Sequence, residues 1–198
     1  MGNLTIIGYE FENNSADDAS GAVFAYNIDM TDSIFKNNLA EYGGAITARN
    51  ANIKNTLFEQ NEASYGGAVY CEENVIADTS KFISNYASRN GGAICCEGNV
   101  TAINCLFKSN NAYGGGAIDG ENGLIIHSTM TDNEGRLYTG GVKFINDVKI
   151  IDSNFTNNYA KYSASAVEAT SIEIVNSTFS KNIGEYGTID ANGDLKVT

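Results

Sequence analysis

The chain has 198 residues and a formal charge of -12, from 24 acidic against 12 basic residues, with a single histidine. That balance excludes nucleic acid and anionic membrane surfaces as partners, because both are held by clustered Lys and Arg. Apolar residues make up 42% of the chain, enough to fill a narrow core, yet no apolar run is long enough for direct membrane insertion, and proline is absent.

A repeat runs from one end to the other. Its large apolar anchor falls at Phe11, Phe35, Phe58, Phe82, Phe107, Met130, Phe155 and Phe179. Asparagine stands three residues after every anchor, from Asn14 and Asn38 to Asn158 and Asn182, and a small residue follows two places later, from Ala16 to Gly184. A steady period with single-residue slips predicts a parallel β-helix of about eight rungs, each of 23–25 residues. Pairs such as Leu4 and Ile6, Ile28 and Met30, Val148 and Ile150, Ile172 and Ile174 alternate as a strand with one buried face.

The first rung, from about Asn3 to Tyr26, has Ser20-Gly21-Ala22-Val23 where later rungs carry paired glycines. The second to fifth rungs are regular, with Gly43-Gly44-Ala45-Ile46, Gly66-Gly67-Ala68-Val69, Gly91-Gly92-Ala93-Ile94 and Gly115-Gly116-Ala117-Ile118. In the sixth, Met130 replaces phenylalanine, Gly135 replaces alanine, and extra residues precede Gly140-Gly141-Val142. The seventh has Ser163-Ala164-Ser165 at the corner, and Asp194-Leu195-Lys196-Val197-Thr198 begins a ninth rung. The whole chain, 1–198, therefore reads as one solenoid domain and as a fragment of a longer repeat protein, whose bare rung edges offer end-to-end self-association.

Each column has a physical role. Phenylalanines stack as a spine. The asparagines serve a corner, bonding amide to amide up the column and tolerating the left-handed backbone of a sharp bend. The paired glycines serve the next corner. Two residues before each anchor, Ser33, Thr56, Ser80, Cys105, Ser128, Ser153 and Ser177 form an inward polar column.

Candidates for chemistry are few. Cys71 falls over Cys96 by register, a spacing open to a disulfide or to buried free thiols, and the four cysteines have no metal-ligand spacing, so neither metal nor cofactor is expected. His127 and Asp152 occupy the same place on neighbouring rungs and read as a surface ion pair or turn contact. Asp29, Asp32, Glu72, Glu73 and Asp119 read as a solvated acidic face. Tyr42, Tyr65, Tyr138, Tyr162 and Tyr186, with Tyr113 one step out of register and Arg89 intervening, precede the glycine corner. Pointing outward, these six tyrosines make an aromatic strip for a sugar or protein partner; folded inward, they cover bare glycine backbone.

The FxxN and GGA[IV] pair, as in Phe35-Lys36-Asn37-Asn38 with Gly43-Gly44-Ala45-Ile46, resembles the chlamydial polymorphic outer-membrane protein repeat and the β-helical adhesin-like proteins of methanogenic archaea. The resemblance implies an all-β, right-handed, single-stranded parallel β-helix that is extracellular, displayed on the cell surface, and used for attachment to a host or neighbouring-cell glycan or protein. No enzymatic activity is expected. The alternative is a polysaccharide-active β-helix lyase or glycosidase using His127, Arg136 and Asp152 of the irregular sixth rung.

Overall fold

A computed structural model describes residues 2–198, and every regular element among them is a β-strand. The strands form three parallel sheets of 14, 8 and 6 strands that wind together as one solenoid. The long face begins with Asn3–Ile7, Val23–Thr31, Ile46–Lys54 and Val69–Asp78, one strand per rung. From the fourth rung it divides, as in Ile94–Cys96 and Asn99–Ile103, across a bend at Gly98. A Cβ on Gly98 would come 2.0 Å from the Glu73 carbonyl oxygen, so the bend requires glycine. The second sheet carries the anchors in strands such as Ile34–Lys36 and Leu57–Glu59, and the third runs toward the glycine corner in strands such as Glu62–Tyr65.

The register is the sequence period. Phe11 pairs with Phe35, Phe35 with Phe58, Phe58 with Phe82 and Phe82 with Phe107, then Met130 and Phe155 follow. Successive rings stack at 4.7–5.0 Å between centroids and lie nearly parallel, each pair adding about 0.5–1.5 kcal/mol beyond its buried area. Met130 interrupts the stack, which resumes between Phe155 and Phe179. The alternating aliphatic pairs face inward as expected, except that Leu4 in the first rung is exposed. One large residue departs from its column. Phe144 stands above Gly120, and a Cβ on Gly123 would lie 2.4 Å from its ring, so two glycines make room for it.

The asparagine column is hydrogen-bonded without gaps. Asn110 Nδ2 donates to Asn133 Oδ1 on the next rung and to the Phe82 carbonyl on the previous one, each at 3.0 Å. Its Oδ1 accepts from both the backbone N–H and the Nδ2 of Asn85, again at 3.0 Å. The same exchange links Asn38, Asn61, Asn85, Asn133 and Asn158, so each amide uses both donors and both acceptors in the interior. The left-handed backbone is not theirs, however. It belongs to the preceding residue, at Asn13, Asn37, Gln60, Ser84, Ser109, Asp132, Asn157 and Lys181. A left-handed residue turns the chain and leaves the next side chain pointing into the core, which separates the two tasks assigned to one asparagine.

A second left-handed series, including Asp32, Asn55, His127 and Asp152, stands one residue before the serine column. Those hydroxyls are buried; Ser128 donates to the Ile126 carbonyl and accepts from the N–H of Cys105. The four cysteines are free and buried, and Cys71 does pair in register with Cys96. At the third corner the first glycine has positive φ (Gly43, Gly66, Gly91, Gly115). The second glycine is needed for close approach, since a Cβ on Gly92 would lie 2.1 Å from the Gly116 oxygen. Register shifts two of the expected corner assignments: Val142 pairs with Ile118 and Val167, so Thr139-Gly140-Gly141 and Ala164-Ser165-Ala166 occupy this corner in the sixth and seventh rungs.

Candidate functional site

The six tyrosines do not form a single strip. Tyr42 bridges to Tyr65, and the same row continues through Asn90 and Gly114. Tyr138 takes the next place, since Gly116 N–H donates to the carbonyl of Thr139 beside it, and Tyr186 precedes the left-handed Gly187. Tyr113 lies one place earlier, in a row with Arg89 and Leu137, and Tyr162 joins that row instead of the first. The cause is chain length: Tyr162 is as far from its anchor as Tyr65, but the seventh rung has one more residue before the corner.

The tyrosines separate into local groups. Tyr113 meets Tyr138 edge-on at 5.6 Å, and Tyr138 packs over Gly114, with Cβ and Cδ2 each 3.5 Å from where a Gly114 Cβ would stand. Lys143 lies over the Tyr138 ring and Lys161 over that of Tyr162. Tyr186 is the most exposed, at 68%. Tyr42 and Tyr65 stack at 5.4 Å, while the Arg89 guanidinium covers Tyr65 at 5.4 Å from its centroid and donates to its hydroxyl at 2.8 Å. Arg89 is one rung above Tyr65 and Tyr42 one below, so both faces of the Tyr65 ring are occupied.

This last group opens onto a cleft of about 410 Å³ where the third sheet meets the long face, lined in part by Tyr42, Tyr65, Tyr70, Asn90, Glu97 and Asp119. Tyr70 stands edge-on to Tyr42 at 5.1 Å, and its hydroxyl donates to Glu97 Oε1. Tyr70, Cys95, Asp119, Lys143 and Glu168 follow one another in register along the long face. The Asp119 side chain is only 14% exposed, and its Oδ2 is buried without a hydrogen-bond partner. Lys143 Nζ is 4.0 Å from that oxygen, beyond hydrogen-bonding reach. Burial pushes the Asp119 carboxyl up to about 6; Lys143 pulls it down less, and Glu168 adds to the rise. Burial, with Asp119 next, also raises the Cys95 thiol well above its ordinary range. Asp119 is thus no member of a solvated face, which corrects the sequence expectation.

Tyr70, Asn90, Glu97 and Asp119 were not grouped by sequence reasoning. The available signal was register: counting one residue past the Ile/Val column leads from Tyr70 through Cys95 to Asp119. Elsewhere, His127 Nε2 lies 3.8 Å from Asp152 Oδ2, and both side chains are at least one-third exposed. Arg136 is not with them. It stacks on Tyr86 at 5.1 Å and donates to the Ser88 carbonyl. No group of His, Cys, Asp and Glu among the described residues is arranged to hold a metal ion. A second depression of about 370 Å³, walled by Ile7, Lys54, Ile76 and neighbours on the long face, has no aromatic lining.

Residues 55–72 and 79–97 match the Chlamydia polymorphic membrane protein repeat. The two matched stretches hold Phe58 with Gly66-Gly67-Ala68-Val69 and Phe82 with Gly91-Gly92-Ala93-Ile94, and Tyr70 and Glu97 of the cleft fall within them. The chain is thus a β-solenoid of which two rungs are similar to the polymorphic membrane protein repeat. Searches of curated proteins and of solved structures return no match.

Proposed function

We propose that this chain is a non-enzymatic segment of a surface-associated attachment protein, an adhesin-type rod that presents a binding cleft to a glycan or protein on a neighbouring cell. The repeat match supports a surface or outer-membrane setting for such a solenoid. The columns of saturated asparagines and stacked rings make a stiff scaffold suited to holding a site away from the cell. The observation that carries the reading is the cleft itself, where tyrosine hydroxyls, an amide and two carboxylates converge on an otherwise regular surface.

The enzyme alternative was assigned to His127, Arg136 and Asp152, and Arg136 is engaged with Tyr86 on a different sheet from the His127 bend, so that trio offers no shared site. The test is binding of the purified chain to cells and to glycan and protein arrays, with released sugars assayed in the same samples. Wild type should bind without releasing sugar, and Tyr70→Ala or Glu97→Gln should weaken binding severalfold. Unchanged binding in both variants, or cleavage of a polysaccharide, would refute the proposal.

A further inference from the structure

We infer that this cleft receives an ammonium group, as presented by a lysine side chain of a protein partner. The inference rests on the cleft being the attachment site and names what it attaches to.

The first observation is an acceptor without a donor. Asp119 Oδ2 is buried, belongs to a residue lining the cleft, and has no hydrogen-bond partner. That oxygen is itself closed to the cleft, but the side chain keeps 14% of its surface exposed, and an ammonium seated against that edge offsets the desolvation cost of the carboxylate. The groups around it narrow the choice of donor. Glu97 is a second carboxylate on the same cleft, Tyr70 and Cys95 supply weakly polar walls, and Glu168 lies beyond Lys143 in the row. Lys143 is the nearest cation, but at 4.0 Å it leaves Oδ2 unbonded and shares its ammonium with the Tyr138 ring.

The second observation concerns the rings. A sugar bound on tyrosine needs a free ring face, and Tyr65 has Tyr42 on one face and Arg89 on the other. Tyr42 is further met edge-on by Tyr70. What the group offers the cleft is hydroxyl oxygen and ring edge, beside two carboxylates. A flexible aliphatic stem ending in a compact cation fits that lining, with three N–H donors for Asp119, Glu97 and a hydroxyl or amide oxygen. The net charge of -12 would draw such a cation in from a distance.

The test is calorimetric titration of the chain with Nα-acetyl-lysine methylamide, with glucosamine as an amine-bearing sugar and methyl glucoside as a neutral one. The lysine compound should bind at pH 7.5, ahead of glucosamine, and methyl glucoside should not bind. Affinity should fall by about tenfold between pH 7.5 and pH 5, as Asp119 takes up its proton. Asp119→Asn, which keeps shape and loses charge, should abolish binding while the circular dichroism spectrum stays that of a β-solenoid. Lys143→Met removes the competing cation and should tighten binding severalfold, a gain that a purely structural role for Asp119 would not produce. No binding of the lysine compound, or equal binding by Asp119→Asn, overturns the inference. Methyl glucoside binding that is lost in Tyr70→Ala would also overturn it, while leaving the attachment reading in place.

Discussion

Asn110→Ala tests the interior amide column at its middle. Asn110 is fully buried and takes part in four side-chain hydrogen bonds, two donated and two accepted. Truncation strands the backbone N–H of Asn85 and one hydrogen of its Nδ2, because Asn110 Oδ1 is the partner of both. The Phe82 carbonyl loses a donor too, whereas Asn133 Oδ1 still accepts from the Asn110 backbone at 3.0 Å. Each stranded buried donor costs about 1–3 kcal/mol, so a loss of about 3–5 kcal/mol is expected. That is a large part of the roughly 5–15 kcal/mol that holds an ordinary domain together. The comparison is Asn14→Ala at the start of the column, where the half-buried amide only donates, to Asn38 Oδ1, which keeps the Asn14 backbone N–H as a partner, so no buried donor is stranded; about 1 kcal/mol is expected there. Urea unfolding followed by circular dichroism measures both. Equal losses in the two variants, or less than about 1 kcal/mol for Asn110→Ala, would refute the idea that saturation of buried amides stabilises the solenoid.

Two further substitutions probe places where column and structure disagree. The small column holds alanine at positions 16, 40, 63, 87, 112 and 160, which recommends Gly135→Ala as a repair. A Cβ there would lie 1.9 Å from the Tyr138 oxygen and 2.3 Å from that of Thr139, so the variant should lose about 3 kcal/mol or more in urea unfolding; a gain would contradict the packing described. For Asp119, the folded carboxyl titrates at about 6, above its ordinary 3.8, so the folded state binds this proton more tightly than the unfolded chain does. Its stability contribution is complete below about pH 3.8 and is lost as pH rises through about 6. Asp119→Asn should therefore be more stable than wild type at pH 7.5, by up to about 2–3 kcal/mol, with the advantage gone at pH 3.5. A variant less stable than wild type at pH 7.5 would mean that Lys143 compensates the buried charge after all.

The repeat period alone specifies the solenoid, its rung count and the columns at its heart. In a parallel β-helix, side chains one period apart become nearest neighbours, so Phe82 over Phe107 or Asn85 over Asn110 can be counted from the chain alone. The same counting would have found a second amide column, Asn3, Asn27, Asn50, Asn74, Asn99 and Asn122, whose amide-to-amide bonds are donated toward the first rung while those of the interior column are donated away from it. Where slips in the period are absorbed depends on how the folded rungs stack. The register shift between Ala87 and Asn90 put Asn90 opposite Tyr65 and left Arg89 one place earlier, and the extra residue before Ala164 moved Tyr162 out of the row shared by Tyr65 and Tyr138. The tertiary structure also decided which acids are solvated. Burial depends on what rises beside a residue from other rungs, and Asp119 stands between Cys95 of the rung before and Lys143 of the rung after.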